Sequence, residues 1–186
     1  SDLKSVVFEE ETKLDTLDSR VFEYCTSLSD IVIPDSIKKI GNETFAGCTS
    51  LNKINISENI EYIGSNAFED AGVLINTDYI NGIKYIDKWA VECDLSVANP
   101  VVADGTTGIA DGVFADNSDV QTIDIPASVT KLTIWAFYGS ENITGIFVDS
   151  ANKNFTSIDG NLFSKDLSTI IFYAAGKPEE SYTLPD

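Results

Sequence analysis

Three cysteines and a group of aspartates are the side chains here best able to do chemistry. Cys25, Cys48 and Cys93 are the only thiols, and there is no histidine. Without histidine, the Ser-His-Asp and Cys-His arrangements that activate a nucleophile cannot be built. Zinc is disfavoured for the same reason, since no CxxC pair supplies the missing ligands. Neither GxxxxGK nor GxGxxG occurs, so no glycine-rich loop cradles a phosphate. Asp104, Asp111, Asp116 and Asp119 remain as carboxylates close in sequence. Paired carboxylates can serve as general acid and base. Aspartate also favours turns and caps, and these four read as loop acids. The ligand order of an EF-hand and the GGxGxD calcium repeat are both missing. The expectation is a non-enzymatic chain with no catalytic residue, no metal and no cofactor.

Cys25 and Cys48 lie 23 positions apart, and that interval recurs throughout the chain. Phe22, Phe45, Phe68, Val91, Phe114 and Phe137 form one apolar column at this spacing. Leu17, Ile40, Ile63, Ile86, Ile109, Leu132 and Phe155 form another, and Leu28, Leu51, Leu74, Val97, Val120 and Ile143 a third. A fixed period of this length marks a solenoid, in which each turn buries its apolar side only against its neighbours. The two thiols then stack on adjacent turns. Cys25 and Cys48 read as small core fillers, with Ala71 next in their column; a disulfide between them is the alternative in an oxidising compartment.

Within each period, LSDIVIP (28–34), LNKINIS (51–57) and VQTIDIP (120–126) carry apolar residues at offsets 0, 3 and 5, a strand signature. SIKKI (36–40) reads as a second extended piece. The segment from Gly41 to Cys48 suits one short helical turn, too short to be stable alone. The column Ile31, Ile54, Thr77, Pro100, Ile123, Ile146 fails at its middle members, so residues 73–103 read as a divergent pair of turns. The fold expected is an α/β solenoid: a right-handed superhelix with short parallel strands and short helical turns.

After Phe155 the register changes. SIDGNLFSKDLSTIIFYAAG (157–176) carries Asp159-Gly160, a hairpin signal, and YINGIKYI (79–86) carries a related Asn81-Gly82. Leu3, Val6 and Phe8 fit the strand offsets at one end, and Tyr182–Asp186 resembles the start of a strand at the other. These features predict one domain over 1–186, part of a longer array, with a hairpin-like interruption at 157–176.

The repeated unit IGxxxFxxCxSLxxIxIPxSIxxI resembles the BspA-like class of leucine-rich repeat. Residues 40–63 follow it except at Ser57, and residues 17–40 follow it with Asp18 in place of glycine. The resemblance implies a secreted or surface-displayed bacterial protein of adhesin type, binding host proteins or other cells, with no shared catalytic residues.

Charge narrows the partners. Thirty acids against 12 bases leave a net charge of −18. That balance argues against nucleic acid and anionic membrane surfaces, which want a basic footprint. No apolar run is long enough for a membrane helix. An extracellular or host protein, or a glycan, fits as partner. Strand alternation puts Asp30, Lys53, Asn76, Asn99 and Thr122 in one outward row, and Val32, Asn55, Asp78, Val101, Asp124 and Phe147 in the next. Solenoids bind through such faces, so these residues form the candidate strip. Two other functions compete with an adhesion scaffold: a right-handed β-helix acting on polysaccharide, and an architectural spacer. The recurring Phe-containing turn and the scattered carboxylates disfavour the β-helix.

Overall fold

Alternating apolar positions cut by frequent turn residues allow each repeat two short strands and a bend. The structure, a computed structural model describing residues 1–185, has this form. Five strands open it: β1 (Thr16–Leu17), β2 (Asp30–Val32), β3 (Lys39–Ile40), β4 (Lys53–Asn55) and β5 (Tyr62–Ile63). β1, β3 and β5 pair parallel, with Leu17 beside Ile40 and Ile40 beside Ile63. β2 and β4 form a second parallel pair, with Ile31 beside Ile54. The register is that of the sequence columns, so inward residues stack on their own equivalents.

The aromatic column bends through hydrogen-bonded turns more than through helix. Regular helical geometry occurs in α1 (Gly72–Ile75) and in a 3-10 turn over Ile134–Phe137. Elsewhere the chain crosses into the left-handed region, as at Arg20 (φ 64°), Tyr24 (φ 55°) and Glu43 (φ 54°). The amides of Arg20, Phe22 and Tyr24 thereby donate to the carbonyls of Asn42, Thr44 and Ala46 at 2.8–3.0 Å. Glu43, Phe45 and Gly47 donate in the same way to Ser65, Ala67 and Glu69. Alternate amides on this wall thus point towards the following turn, while those between them, such as Glu23 and Ala46, close bonds within their own turn. The rings stack behind them, Phe22 on Phe45 at 5.5 Å and Phe45 on Phe68 at 5.6 Å.

Close stacking explains the repeated glycine. A Cβ on Gly41 would sit 2.5 Å from the Ser19 nitrogen, and one on Gly64 would sit 2.6 Å from the Asn42 nitrogen. Asp18 occupies the same position in the first turn, where its side chain is exposed and caps the Ser19 amide at 2.8 Å.

The lattice breaks between α1 and residue 108. β6 (Ile83–Ile86) and β7 (Trp89–Cys93) form an antiparallel hairpin through Asp87-Lys88. Asn81-Gly82 (φ 51° and 84°) makes a separate tight turn closed between Ile80 and Ile83. β7 pairs parallel with β8 (Gly108–Ile109), but Ala90 faces Ile109, where the column places Ile86. The amide of Asp111 instead reaches the carbonyl of Ile63 at 2.9 Å. The parallel strands are thus divided into two stacks by a fault. The apolar core runs through it without interruption, from Leu17 to Ala174.

Beyond the fault, β9 (Thr122–Ile125) and β10 (Gly145–Val148) restore the parallel register, with Ile123 beside Ile146. Phe114 stacks on Phe137 at 5.8 Å, and Gly112, Phe114 and Asp116 donate to Trp135, Ala136 and Tyr138. β11 (Phe155–Ile158), β12 (Asn161–Ser164) and β13 (Ile170–Phe172) follow as an antiparallel meander. Asp159-Gly160 (φ 51° and 76°) forms its first turn. The expected strand at Leu3, Val6 and Phe8 reduces to a single bridge from Ser5 to Asp30. Residues 183–185 form no strand, and Asp186 lies outside the described residues.

Candidate functional site

The outward strand row falls into two parts. Asp30, Val32, Lys53 and Asn55 lie exposed on β2 and β4, with Asp30 paired in register to Lys53 and Val32 to Asn55. Asn99, Val101, Thr122, Asp124 and Phe147 lie across the fault. Asn76 and Asp78 belong to neither part, which corrects the continuous strip read from the sequence. Asn76 ends α1, its side-chain amide donating to the Gly72 carbonyl at 2.9 Å. The cause lies in the inward partners: Thr77 and Pro100 stand where the other turns carry isoleucine, and Pro100 has no N–H for a ladder.

Val101, Asp124 and Phe147 are successive register partners. With Asp104, Pro126 and Asp149 they line a shallow hollow of about 350 Å³. The Phe147 ring lies over Gly145, where a Cβ would approach within 2.8 Å, and half of Phe147 remains exposed (50 %). Thr122 is tied to Asn99 by a 2.7 Å hydrogen bond.

A larger groove opens at the fault on the wall of aromatic turns. It encloses about 590 Å³, between Asn42, Ser65 and Asn66 on one side and Asp111, Asp116, Trp135 and Tyr138 on the other. Asp111 is buried, its carboxylate accepting from the Tyr62 hydroxyl at 2.7 Å and from the Thr133 hydroxyl. Burial, reinforced by donation to Asp111, raises the Tyr62 phenol above its usual range, so the hydrogen stays on Tyr62. Trp135 and Tyr138 are 56 % and 61 % exposed, their rings 5.7 Å apart and tilted by 41°. Sequence reasoning did not single out this groove. One signal was available: IWAFYGS (134–140) places three aromatics around a bend whose inward column takes only Phe137.

The profile of the BspA type leucine-rich repeat region matches residues 15–144 and 91–175, in six copies. The chain belongs to the BspA-type leucine-rich repeat family. No curated protein matches it. Among solved structures it is similar to a leucine-rich repeat protein from Eubacterium ventriosum, at 23 % identity and a TM-score of 0.49 over 91 % of this chain and 39 % of that one. It is also similar to the pneumococcal vaccine antigen PcpA, at 22 % identity and a TM-score of 0.37 over 98 % and 34 % of the two chains. A leucine rich cell surface protein from Faecalibacterium prausnitzii matches at 20 % identity and a TM-score of 0.35 over 92 % and 53 %. In each case this chain spans less than two thirds of the longer protein.

Membership makes this BspA-type chain a repeat scaffold suited to protein interaction. Its aspartates do not assemble into one cluster. Asp111 and Asp116 line the groove, and Asp104 lines the strand-face hollow. Asp119 lies exposed elsewhere, capped through its amide by Asn117 at 2.9 Å. Among the described residues, no group of three or more such side chains could hold a metal ion. No helix among them is long and apolar enough to cross a membrane.

The three thiols are buried and free. Cys48 donates to the Phe22 carbonyl at 3.1 Å, and burial raises its thiol above the ordinary range. Burial, with the charges of Asp94 and Glu92, pushes Cys93 up to about 12. A neutral, enclosed thiol is a poor nucleophile.

Further along the fault, beyond the Tyr62–Asp111–Thr133 contact, other side chains stitch it. The Lys131 ammonium donates to the carbonyls of Glu58 and Ile60. Lys88 pairs with Glu58 at 2.7 Å, and Asp87 accepts from the Ile56 amide at 2.8 Å. These bonds stand in place of the backbone ladder that the hairpin displaces.

Proposed function

We propose that the chain is a non-enzymatic adhesion scaffold, secreted or displayed on a bacterial surface, and that its strand face holds a protein partner. The hollow around Val101, Asp124 and Phe147 carries this reading: Val101 and Phe147 are exposed apolar side chains on either side of Asp124, and Asp104 and Asp149 also line it. Apolar side chains exposed together mark interaction sites more often than scattered ones do. The acidic lining, on a chain of net charge −18, favours a partner segment that offers apolar and basic side chains together. The half-strip of Asp30, Val32, Lys53 and Asn55 supplies a second, more polar contact across the fault. The family resemblance supports surface display, which suits a chain of net charge −18.

The test is capture on an array of extracellular-matrix proteins, comparing the chain with its Val32→Asp and Phe147→Asp variants. Capture is expected to fall strongly for Phe147→Asp and to weaken with salt. Equal capture by all three would remove the strand face as the binding site.

A further inference from the structure

We propose that the groove at the fault, beneath Trp135 and Tyr138, binds a neutral saccharide. The inference does not rest on the strand-face reading, because the groove lies on the wall of aromatic turns.

Three observations converge. First, two large aromatic rings lie together, more than half exposed, at the mouth of a concave polar site. They form an apolar shelf of the kind that covers the C–H face of a pyranose. Second, Asn42, Ser65, Asn66 and Asp116 stand around that shelf with groups able to donate to or accept from ring hydroxyls. Third, the backbone of the groove is left half-bonded. In the stacks, the turn amides donate to the next turn's carbonyls. At the fault, the amides of Asn66, Phe68 and Asp70 find no acceptor among the described residues. The carbonyls of Asp111, Val113 and Ala115, which should receive from the turn before, find no donor among them either. Asn66 and Ala115 line both this groove and an adjoining hollow of about 330 Å³ that also reaches Phe68 and Val113. Each backbone N–H and C=O is a strong hydrogen-bonding group, so these unpaired groups beside the groove are available to a polar ligand.

The ligand class follows by elimination. No lysine or arginine lines the groove, and the chain carries −18. Phosphates, sulfates and uronates are therefore repelled. A quaternary ammonium or lysine side chain would need an open cage of rings. Here two rings lie side by side at 5.7 Å and form no cage, and of the two carboxylates in the lining Asp111 is already satisfied by Tyr62 and Thr133, which leaves Asp116 alone. An added peptide strand needs an edge that alternates N–H and C=O. Here the unpaired backbone groups are amides on one side of the fault and carbonyls on the other, with no such alternation. Hydroxyl oxygens both accept and donate, so a saccharide matches both sides.

The experiment titrates the full chain with the neutral hexasaccharides of cellulose, mannan and chitin. Oligogalacturonate and choline serve as counter-probes. Trp135 is the accessible tryptophan, since Trp89 is only 4 % exposed, so acrylamide quenching reports on the groove. At least one neutral hexasaccharide is expected to bind by calorimetry and to protect Trp135 from acrylamide. Trp135→Ala and Tyr138→Ala should each weaken that binding by about tenfold or more, as hot-spot aromatics do. Trp135→Phe should retain most of it. Phe147→Asp should leave it unchanged, which separates this site from the strand face. All variants lie on the surface, and circular dichroism verifies that each is folded. The proposal fails if no neutral hexasaccharide protects Trp135, if Trp135→Ala binds as well as the parent, or if only galacturonate or choline binds.

Discussion

Removing one ring from the phenylalanine ladder tests whether side chains in this solenoid are coupled to their own copies. Phe45 is fully buried, with Phe22 at 5.5 Å and Phe68 at 5.6 Å on its two sides. Phe45→Ala should cost about 3–5 kcal/mol, the range for deleting a buried aromatic and leaving a cavity. Phe22 is only partly buried and stacks on one side, so Phe22→Ala should cost about half as much. Coupling separates the ladder from simple burial. A double-mutant cycle on Phe22 and Phe45 should return about 0.5–1.5 kcal/mol, the usual value for touching aromatic rings. The same cycle on Phe22 and Phe68, which are separated by the Phe45 ring, should return less than about 0.5 kcal/mol. Urea unfolding followed by far-ultraviolet circular dichroism gives every free energy needed. Equal coupling for the two cycles, or none for the adjacent pair, would refute the claim that neighbouring turns share their energy through the stack.

Other outcomes follow from the contacts described. Gly41→Ala should lower stability by about 1–3 kcal/mol, because its Cβ meets the backbone of Ser19. Asp18→Ala, at the same position one turn earlier, should cost less than about 1 kcal/mol, a single exposed cap; chemical denaturation compares the two. Lys131→Met should lower the melting temperature and cost about 1.5 kcal/mol, the low end for bonds from a charged donor, since its ammonium ties the carbonyls of Glu58 and Ile60 across the fault. Cys93 titrates near 9.0 unfolded and is pushed up to about 12 in the fold. The fold therefore favours the neutral thiol, and its contribution is complete below pH 9 and declines as the pH rises towards 12. Denaturation midpoints measured across that window should fall more steeply for the parent than for Cys93→Ala.

The parts of this fold that were legible in the sequence are those where one side chain must meet its own equivalent. Leu17, Ile40 and Ile63, and the rings of Phe22, Phe45 and Phe68, sit in the register their spacing implies. Period-2 alternation likewise placed Val32, Val101 and Phe147 outward. The fault was visible as failing columns at Thr77 and Pro100, but its form was not. An antiparallel hairpin and a divergent repeat both place apolar residues at alternate positions, so Ile86 fitted the column even though Ala90 takes the place beside Ile109. The short turns take regular helical form at Ile134–Phe137, but elsewhere in the aromatic column they are hydrogen-bonded bends. Residues such as Arg20 and Glu43 adopt positive φ because the bonds between turns reward it, and no local pattern announces that. The groove escaped notice because it joins Tyr62 to Asp111 and Asn42 to Trp135, pairs brought together only where the stack slips.

The wall of aromatic turns differs from the strand walls in the direction of its amides. In a parallel strand, N–H groups alternate between two neighbours, and their dipoles largely cancel. Here the amides of Arg20, Phe22 and Tyr24, then of Glu43, Phe45 and Gly47, are all aimed along the axis in one sense. Their moments add, as they do in an α-helix. One flank of the molecule is therefore an electric vector superimposed on a body of net negative charge. A charged surface would orient the solenoid as well as attract or repel it.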